Sequence, residues 1–503
     1  MRFGRLLCAA TLLAGCSTDN GALTTVILGA TVYDGSGLRG QVADLRIEGG
    51  RIVAVGDLVP SSGEWVFNAE GLALAPGFID SHSHADRGIF DDPSALGAVS
   101  QGITTVVVGN DGVSPFPLAG FYARLDSAPV AVNIASYAGH GSLRRAVMGE
   151  DFRRVATQAE TDSMKSLLYQ ELDAGALGLS TGLEYDPGIY SDYQELLSLT
   201  QATSAEGGRY ISHIRSEDRD FWPAIDEIIR LGRDAGIPVQ ISHLKLAMRS
   251  LWGRPDSLVA LLEAARASGV QITADIYPYT YWQSTMEVLF PERNFADRSA
   301  AQFALRELAG PDDIRFGAFD PEPSYVGKTL AEVARARGSD PANTLMTLIR
   351  EAQVAATAGK PANESIIATS MKTGDVDRLL QWEWTNVCSD GELDGRHPRG
   401  FGAFAKVLGE VRTREVLTMG EAIRKMTSLA ARNLGLTERG TIRDQAVADL
   451  VLFDPELVAD QATLANPHQL ATGIVSVWVA GELVFDRGAA TGKRPGVVIR
   501  RGQ

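Results

Sequence analysis

Leu72-Ala73-Leu74-Ala75-Pro76-Gly77-Phe78-Ile79-Asp80-Ser81-His82-Ser83-His84 is the stretch whose reading decides the fold. An apolar run carries the chain into a buried strand and ends in two histidines at spacing two. On a strand, residues i and i+2 point the same way, so both imidazoles can reach one metal ion from the strand's end. The chain has only 7 histidines in 503 residues, so the position of each is informative. His213 and His243 also end short β-type runs, Tyr210-Ile211-Ser212 and Val239-Gln240-Ile241-Ser242, and Asp390 ends Asn386-Val387-Cys388-Ser389. Histidines and an aspartate at the C-terminal ends of separate strands are where a (β/α)8 barrel assembles its active site.

Outward from that stretch, short apolar runs alternate with helical stretches from 74 to 430, the pattern of a parallel barrel. Strands are predicted at 74–79, 103–108, 130–136, 176–179, 209–213, 238–243, 271–276, 365–370 and 385–388. That is one more than a barrel needs, and 365–370 is taken as the extra strand. Residues 282–362, long, polar and partly helical, read as an insertion after the seventh strand. Residues 24–73 and 431–503 alternate in a β manner, with Gly49-Gly50 as a hairpin turn, and neither end alone has enough strands to bury two faces. The expectation is one small β-sandwich built from both ends. Gly327-Lys328-Thr329 is no phosphate loop, because Glu322 stands where that motif's first glycine belongs.

The motifs resemble those of the amidohydrolase superfamily and, within it, the N-acyl-D-amino-acid deacylases (D-aminoacylases). They run in order from Pro76-Gly77-Phe78-Ile79-Asp80-Ser81-His82-Ser83-His84 through Gln101-Gly102-Ile103-Thr104-Thr105-Val106-Val107-Val108-Gly109-Asn110 and Gly139-His140-Gly141 to Gly178-Leu179-Ser180-Thr181-Gly182-Leu183. Ile241-Ser242-His243-Leu244-Lys245, Asp275-Ile276-Tyr277-Pro278-Tyr279 and Ser389-Asp390-Gly391 with His397-Pro398-Arg399 complete the set.

The resemblance covers nearly all the chain from Thr24 and implies the same barrel and composite β-domain, an insertion that helps cover the active site, and a metal-dependent amide hydrolase removing the acyl group from N-acyl-D-amino acids. It implies Zn2+, as one or two divalent ions. One departure stands out: Asp111 occupies the position of the family's cysteine ligand. A carboxylate is a competent and harder ligand that could bridge two metals, which leaves metal identity and number open. Asp111, His213 and His243 would form the tight site, with His82 and His84 at a second. Asp390 matches the family's barrel-end aspartate, general base toward an activated water and then proton donor to the leaving amine. Lys245 and Arg399 match positions that hold the substrate's α-carboxylate. Tyr277 and Tyr279 fall in the segment that supplies a tyrosine contact, and His140 is a further substrate or supporting candidate.

Two other readings remain. A cyclic-amide hydrolase of the dihydroorotase or hydantoinase kind commonly carries a carboxylated barrel lysine, and no lysine ends a strand before His213. A binding lipoprotein that kept the fold without catalysis would lack stoichiometric metal.

Residues 1–15 read as a leader: Arg2 and Arg5, an apolar run from Leu6, then Leu13-Ala14-Gly15-Cys16 as a lipobox. Cys16 would carry the lipid and residues 16–23 form a tether. Ser17 rather than Asp after it favours the outer membrane, on the periplasmic side of a Gram-negative cell; the alternative is a plain secretory signal. The leader is too short to span a bilayer. Losing it removes two arginines and no acid, so the net charge of −15 becomes −17. That charge disfavours nucleic acid and anionic membranes, and the basic pairs Lys493-Arg494 and Arg500-Arg501 read as a solvated tail. The expected partner is a small-molecule N-acyl amino acid, with membrane contact only through the lipid. Cys388, the last cysteine, reads as a small buried hydrophobe.

Overall fold

The computed structural model describes residues 24–503. The expected leader, Cys16 and the tether lie outside the described residues.

A parallel barrel forms the centre. Phe78–Asp80 pairs with Ile103–Val108, which pairs with Asn133–Ser136. The chain runs on into Ala138–Gly139, and the order continues through Gly178–Gly182, Arg209–His213, Val239–Ile241, Ile272–Ile276 and Thr385–Val387. Every residue of Ile103–Val108 is buried, as its unbroken β-branched run requires of a strand covered on both faces. The ring closes just past the strands: Asp390 N–H donates to His82 O at 2.8 Å and His84 N–H to Gly391 O at 2.8 Å. Closure therefore sets both first-strand histidines beside the aspartate of the last strand. Helices pack outside; Phe221–Ala235 turns Ile225, Ile228 and Ile229 inward at helical spacing, and Gln158–Ala174 starts on a Thr157/Glu160 capping box.

The strand expected over 74–79 is two strands. Ala73–Pro76 belongs to the terminal sheet and Phe78–Asp80 to the barrel. The changeover is at Gly77, whose N–H donates to Asp449 O at 2.7 Å, while Phe78 N–H donates to Gly102 O at 2.9 Å. A Cβ on Gly77 would meet the Thr104 side chain at 2.3 Å, so only glycine lets the chain pass this close to the second barrel strand.

Ala73–Pro76 also joins the two chain ends, pairing with Thr25–Val32 on one side and Leu450–Phe453 on the other. The result is one nine-stranded sheet folded over on itself. Arg51–Gly56, at one edge, returns so that Ile52 N–H reaches Ala446 O at 2.9 Å. Ile27, Leu45, Ile52, Leu74, Leu450 and Trp478 share its core, with Phe67 edge-on to Trp478 at 5.3 Å.

Strand Glu364–Thr369 lies outside the barrel, between Tyr281–Ser284 and Ile314–Phe319 in an antiparallel sheet. Helices Arg298–Glu307, Leu330–Arg337 and Pro341–Thr357 accompany it. The C-terminus corrects the reading of a solvated tail: Lys493 and Arg494 are exposed, but Val498 and Ile499 are buried. Ile499 N–H donates to Ile134 O at 2.8 Å and Arg501 N–H to Gly175 O at 3.1 Å. Apolar residues flanking the second basic pair pull it onto the barrel. No described helix is long and apolar enough to cross a membrane.

Candidate metal centre

Six side chains converge at the C-terminal ends of the barrel strands. His82 and His84 follow the first, Asp111 the second and Asp390 the last; His213 ends the fifth and His243 follows the sixth. Asp111, His243 and Asp390 hold left-handed backbone, with φ of 53°, 34° and 49°. Such conformations cost energy for side-chain-bearing residues and persist only where the surroundings enforce them. Here they are enforced: His243 N–H is held by Asp275 Oδ1 at 2.6 Å, and Ser389 N–H, just before Asp390, by Asp80 Oδ1 at 2.8 Å.

Asp111 is the hub. Its Oδ2 lies 3.4 Å from Nε2 of both His82 and His84, and its Oδ1 lies 3.6 Å from His243 Nε2. Asp390 Oδ1 completes the first side, 3.5 Å from His82 Nε2 and 3.2 Å from His84 Nε2. On the second side His213 Nδ1 is 2.9 Å from His243 Nε2. Two overlapping donor sets result, His82–His84–Asp111–Asp390 and Asp111–His213–His243. Both nitrogens of His82 and the Oδ1 of Asp111 are buried with no hydrogen-bond partner. Orphaned buried groups are costly, and a divalent cation is the species this mixed imidazole–carboxylate set fits. Burial opposes the charged forms, but His82 and His243 hold the Asp111 carboxyl well below its ordinary range. Burial likewise opposes ionised Asp390, and Arg399 and His82 overcome it.

A second layer orients these ligands. Glu184 Oε2 lies 2.9 Å from His213 Nε2, and Glu217 Oε1 lies 3.2 Å from His243 Nδ1. In both cases a carboxylate can take the proton-bearing nitrogen and leave the other toward a metal. Asp275 lies beneath, 3.5 Å from His82 Nδ1. Sequence reasoning missed all three. Glu184 stands one residue beyond the quoted Gly178–Leu183 motif, and Asp275 opens a motif read only for its tyrosines. Glu217 follows His213 by four residues, a signal visible only once that loop folds back.

These residues floor a cavity of about 610 Å³ whose far wall is the insertion, including Trp282, Val288 and Leu289. Arg399 and Tyr277 line it. The guanidinium sits over the Tyr277 ring at 4.7 Å, and Arg399 Nε and Tyr277 OH are buried without partners. Three expected contacts lie elsewhere. Tyr279 turns away to Asp460 Oδ2 at 3.4 Å, because the bend at Pro278 breaks the strand in which i and i+2 would share a face. His140 is buried against Glu195 Oε1 at 2.7 Å, in a cluster with Arg144. Lys245 is spent on Glu217 Oε1 at 2.6 Å and sits beside His243 Nδ1 at 2.7 Å, behind the cavity wall, where Glu217 already neutralises it. Cys388 is buried, its thiol pushed well up by burial, which leaves it inert as a nucleophile.

A family model described as the amidohydrolase family matches residues 66–310 and 319–485. The chain is 38% identical to an N-acyl-D-aspartate deacylase of Alcaligenes xylosoxydans xylosoxydans over 95% of each chain. It is 37% identical to an N-acyl-D-glutamate deacylase of the same organism, over 95% of this chain and 97% of that one. A crystal structure of N-acyl-D-glutamate deacylase from Bordetella bronchiseptica, complexed with zinc and a phosphonate mimic of the tetrahedral intermediate, superposes with a TM-score of 0.85 at 35% identity, covering 95% of this chain and 100% of that one. With its barrel, its folded terminal sheet and its ring of imidazoles and carboxylates, the chain belongs to the amidohydrolase family, among the D-aminoacylases.

Proposed function

We propose that this protein removes the acyl group from N-acyl-D-amino acids, giving a carboxylate and a free D-amino acid. The observation that carries the reading is Asp111, which faces both imidazole sets at the floor of a cavity lined by Arg399 and Tyr277. A divalent ion held by Asp111, His213 and His243, with His82 and His84 able to hold a second, would supply a Lewis acid for the scissile carbonyl and its attacking water. Zinc is the ion this reading favours, because it accepts imidazole and carboxylate together.

The chain's own residues do the rest. Arg399 Nε and Tyr277 OH take the substrate's α-carboxylate, the anion their open donors fit. Asp390, kept ionised by Arg399 and the imidazoles, accepts a proton from the attacking water and returns it to the leaving nitrogen. Glu184 and Glu217 fix the rings of His213 and His243, and Lys245 holds Glu217 in place. The insertion covers the site and limits water. Residues 1–15, read as a lipoprotein leader, with 16–23 as a tether, support a periplasmic enzyme anchored through Cys16.

A panel of N-acetyl-D- and N-acetyl-L-amino acids, assayed for free amine, tests the reading. Turnover confined to D-forms supports it; turnover of cyclic amides alone would replace it.

A further inference from the structure

Identity alone leaves the substrate's side chain undecided, because relatives named for acidic substrates and a D-aminoacylase match at 35–38%. The insertion wall is more informative. We infer that Glu287, seated beside Glu364 on this wall, makes this cavity select against acidic side chains, so that its substrates are N-acyl-D-amino acids whose side chain carries no negative charge. This rests on the function proposed above and goes further, to the substrate class.

Both carboxyls line the same cavity as the metal centre. Glu364 opens strand Glu364–Thr369, and its two oxygens accept the Met286 N–H at 2.9 and 3.0 Å. That contact fixes it beside the Met286–Leu289 turn, which carries Glu287. Glu287 Oε1 accepts from Gln353 Nε2 at 2.8 Å, a neutral partner that leaves its charge uncompensated. Burial first, and then the charge of Glu287, push the Glu364 carboxyl up to about 8, so near neutral pH the negative charge of the pair is that of Glu287.

A carboxylate side chain entering here would need a free cation. Arg293, on this wall, has each nitrogen committed: Nε to Asp186 Oδ1 at 3.2 Å, Nη1 to the carbonyls of Glu287 and Phe290 at 3.1 Å, and Nη2 to Glu184 O at 2.5 Å. It ties the insertion to the loop after the fourth barrel strand. Arg87, Arg145 and Arg396 also line the cavity but are exposed, where water and salt screen them, and Arg87 is already paired with Glu392 at 2.8 Å. Arg399 belongs to the catalytic end. The wall also carries Trp282, Val288 and Leu289, apolar surface suited to an uncharged side chain, beside the neutral polar Gln283, Ser284 and Thr285.

The test compares N-acetyl-D-glutamine with N-acetyl-D-glutamate, which have the same shape and differ in one charge, with N-acetyl-D-methionine as reference. Like charges brought together at a binding surface are strongly disfavoured, so kcat/KM for the glutamine compound should exceed that for the glutamate compound by at least ~10-fold. Glu287→Gln, alone and with Glu364→Gln, keeps a hydrogen-bond acceptor at each position and removes the charge of Glu287. It should raise kcat/KM on N-acetyl-D-glutamate and close most of the gap, with activity on N-acetyl-D-methionine and a single cooperative melting transition retained. A native enzyme that takes the glutamate compound as well as or better than the glutamine compound would overturn the inference, as would variants in which both change equally. Turnover of none of the three D-compounds by metal-loaded enzyme would instead overturn the deacylase reading, and this inference with it.

Discussion

Arg399 Nη1 lies 2.5 Å from Asp390 Oδ2, a buried ion pair that ties the proposed substrate anchor to the proposed proton-transfer group. On the proposed reading one arginine has two tasks, holding Asp390 ionised and presenting Nε to a substrate carboxylate. Arg399→Ala should therefore lower kcat/KM on free N-acyl-D-amino acids steeply, since removing one partner of a buried pair costs ~2–5 kcal/mol. The loss should be smaller on the matching methyl esters, which have no carboxylate to anchor. Equal losses on acid and ester would confine Arg399 to supporting Asp390.

Asp390→Asn keeps the shape and removes the base. We expect folding close to native, metal retained at the Asp111–His213–His243 set, which does not include Asp390, and kcat lowered at least ~10²-fold, the lower end of general acid–base contributions. The acidic limb of the pH–rate profile should change as well. Substantial residual kcat with that limb intact would move the base elsewhere. His140 is no longer the alternative, since Glu195 holds it away from the cavity.

Asp111→Ala should remove bound metal and activity together, read by metal analysis of purified protein. Asp111→Cys is more telling: we expect it to keep activity and to shift preference toward zinc, a softer partner for thiolate than for carboxylate. Full metal occupancy in the alanine variant would show that Asp111 is not a ligand.

Glu184→Gln and Glu217→Gln should each weaken metal binding by ~10–100-fold, the usual consequence of losing a residue that orients a ligating imidazole. Competition with a chromogenic chelator measures this without reference to turnover. Unchanged affinity in both would make these glutamates bystanders.

The Glu364 carboxyl, pushed up to about 8 by burial and Glu287, gives a pH signature. Its folded value lies above its unfolded one, so its contribution to stability is full below the unfolded value and is lost as pH rises through about 8. Glu364→Gln should flatten the fall in melting temperature across that window; an unchanged slope would show that Glu364 does not titrate there.

Much of the site was legible because strands announce their ends: His82, His84, His213, His243 and Asp390 each close an apolar run, and a barrel gathers such ends on one face. Asp111 was readable only through resemblance, since it follows Gly109-Asn110 in a turn. The misreadings came from side-chain direction and pairing. Strand alternation would put Tyr277 and Tyr279 on one face, and only the bend at Pro278 sends them apart; the Lys245–Glu217 pair joins loops after different strands, which no local pattern reveals. The split at Gly77 was hidden because both halves of the run are apolar and buried, one in each sheet.

Cys16→Ser tests the anchoring read from residues 13–16. The variant should remain uncleaved or leave the membrane fraction; unchanged membrane fractionation would refute the lipid anchor.

The most direct test of the account is metal-dependent turnover of one enantiomeric pair. Purified protein, stripped with chelator and then titrated with zinc, should regain hydrolysis of N-acetyl-D-methionine to acetate and D-methionine and leave N-acetyl-L-methionine essentially untouched. Zinc-loaded protein inactive on the D-compound, or activity that survives complete metal removal, would contradict it.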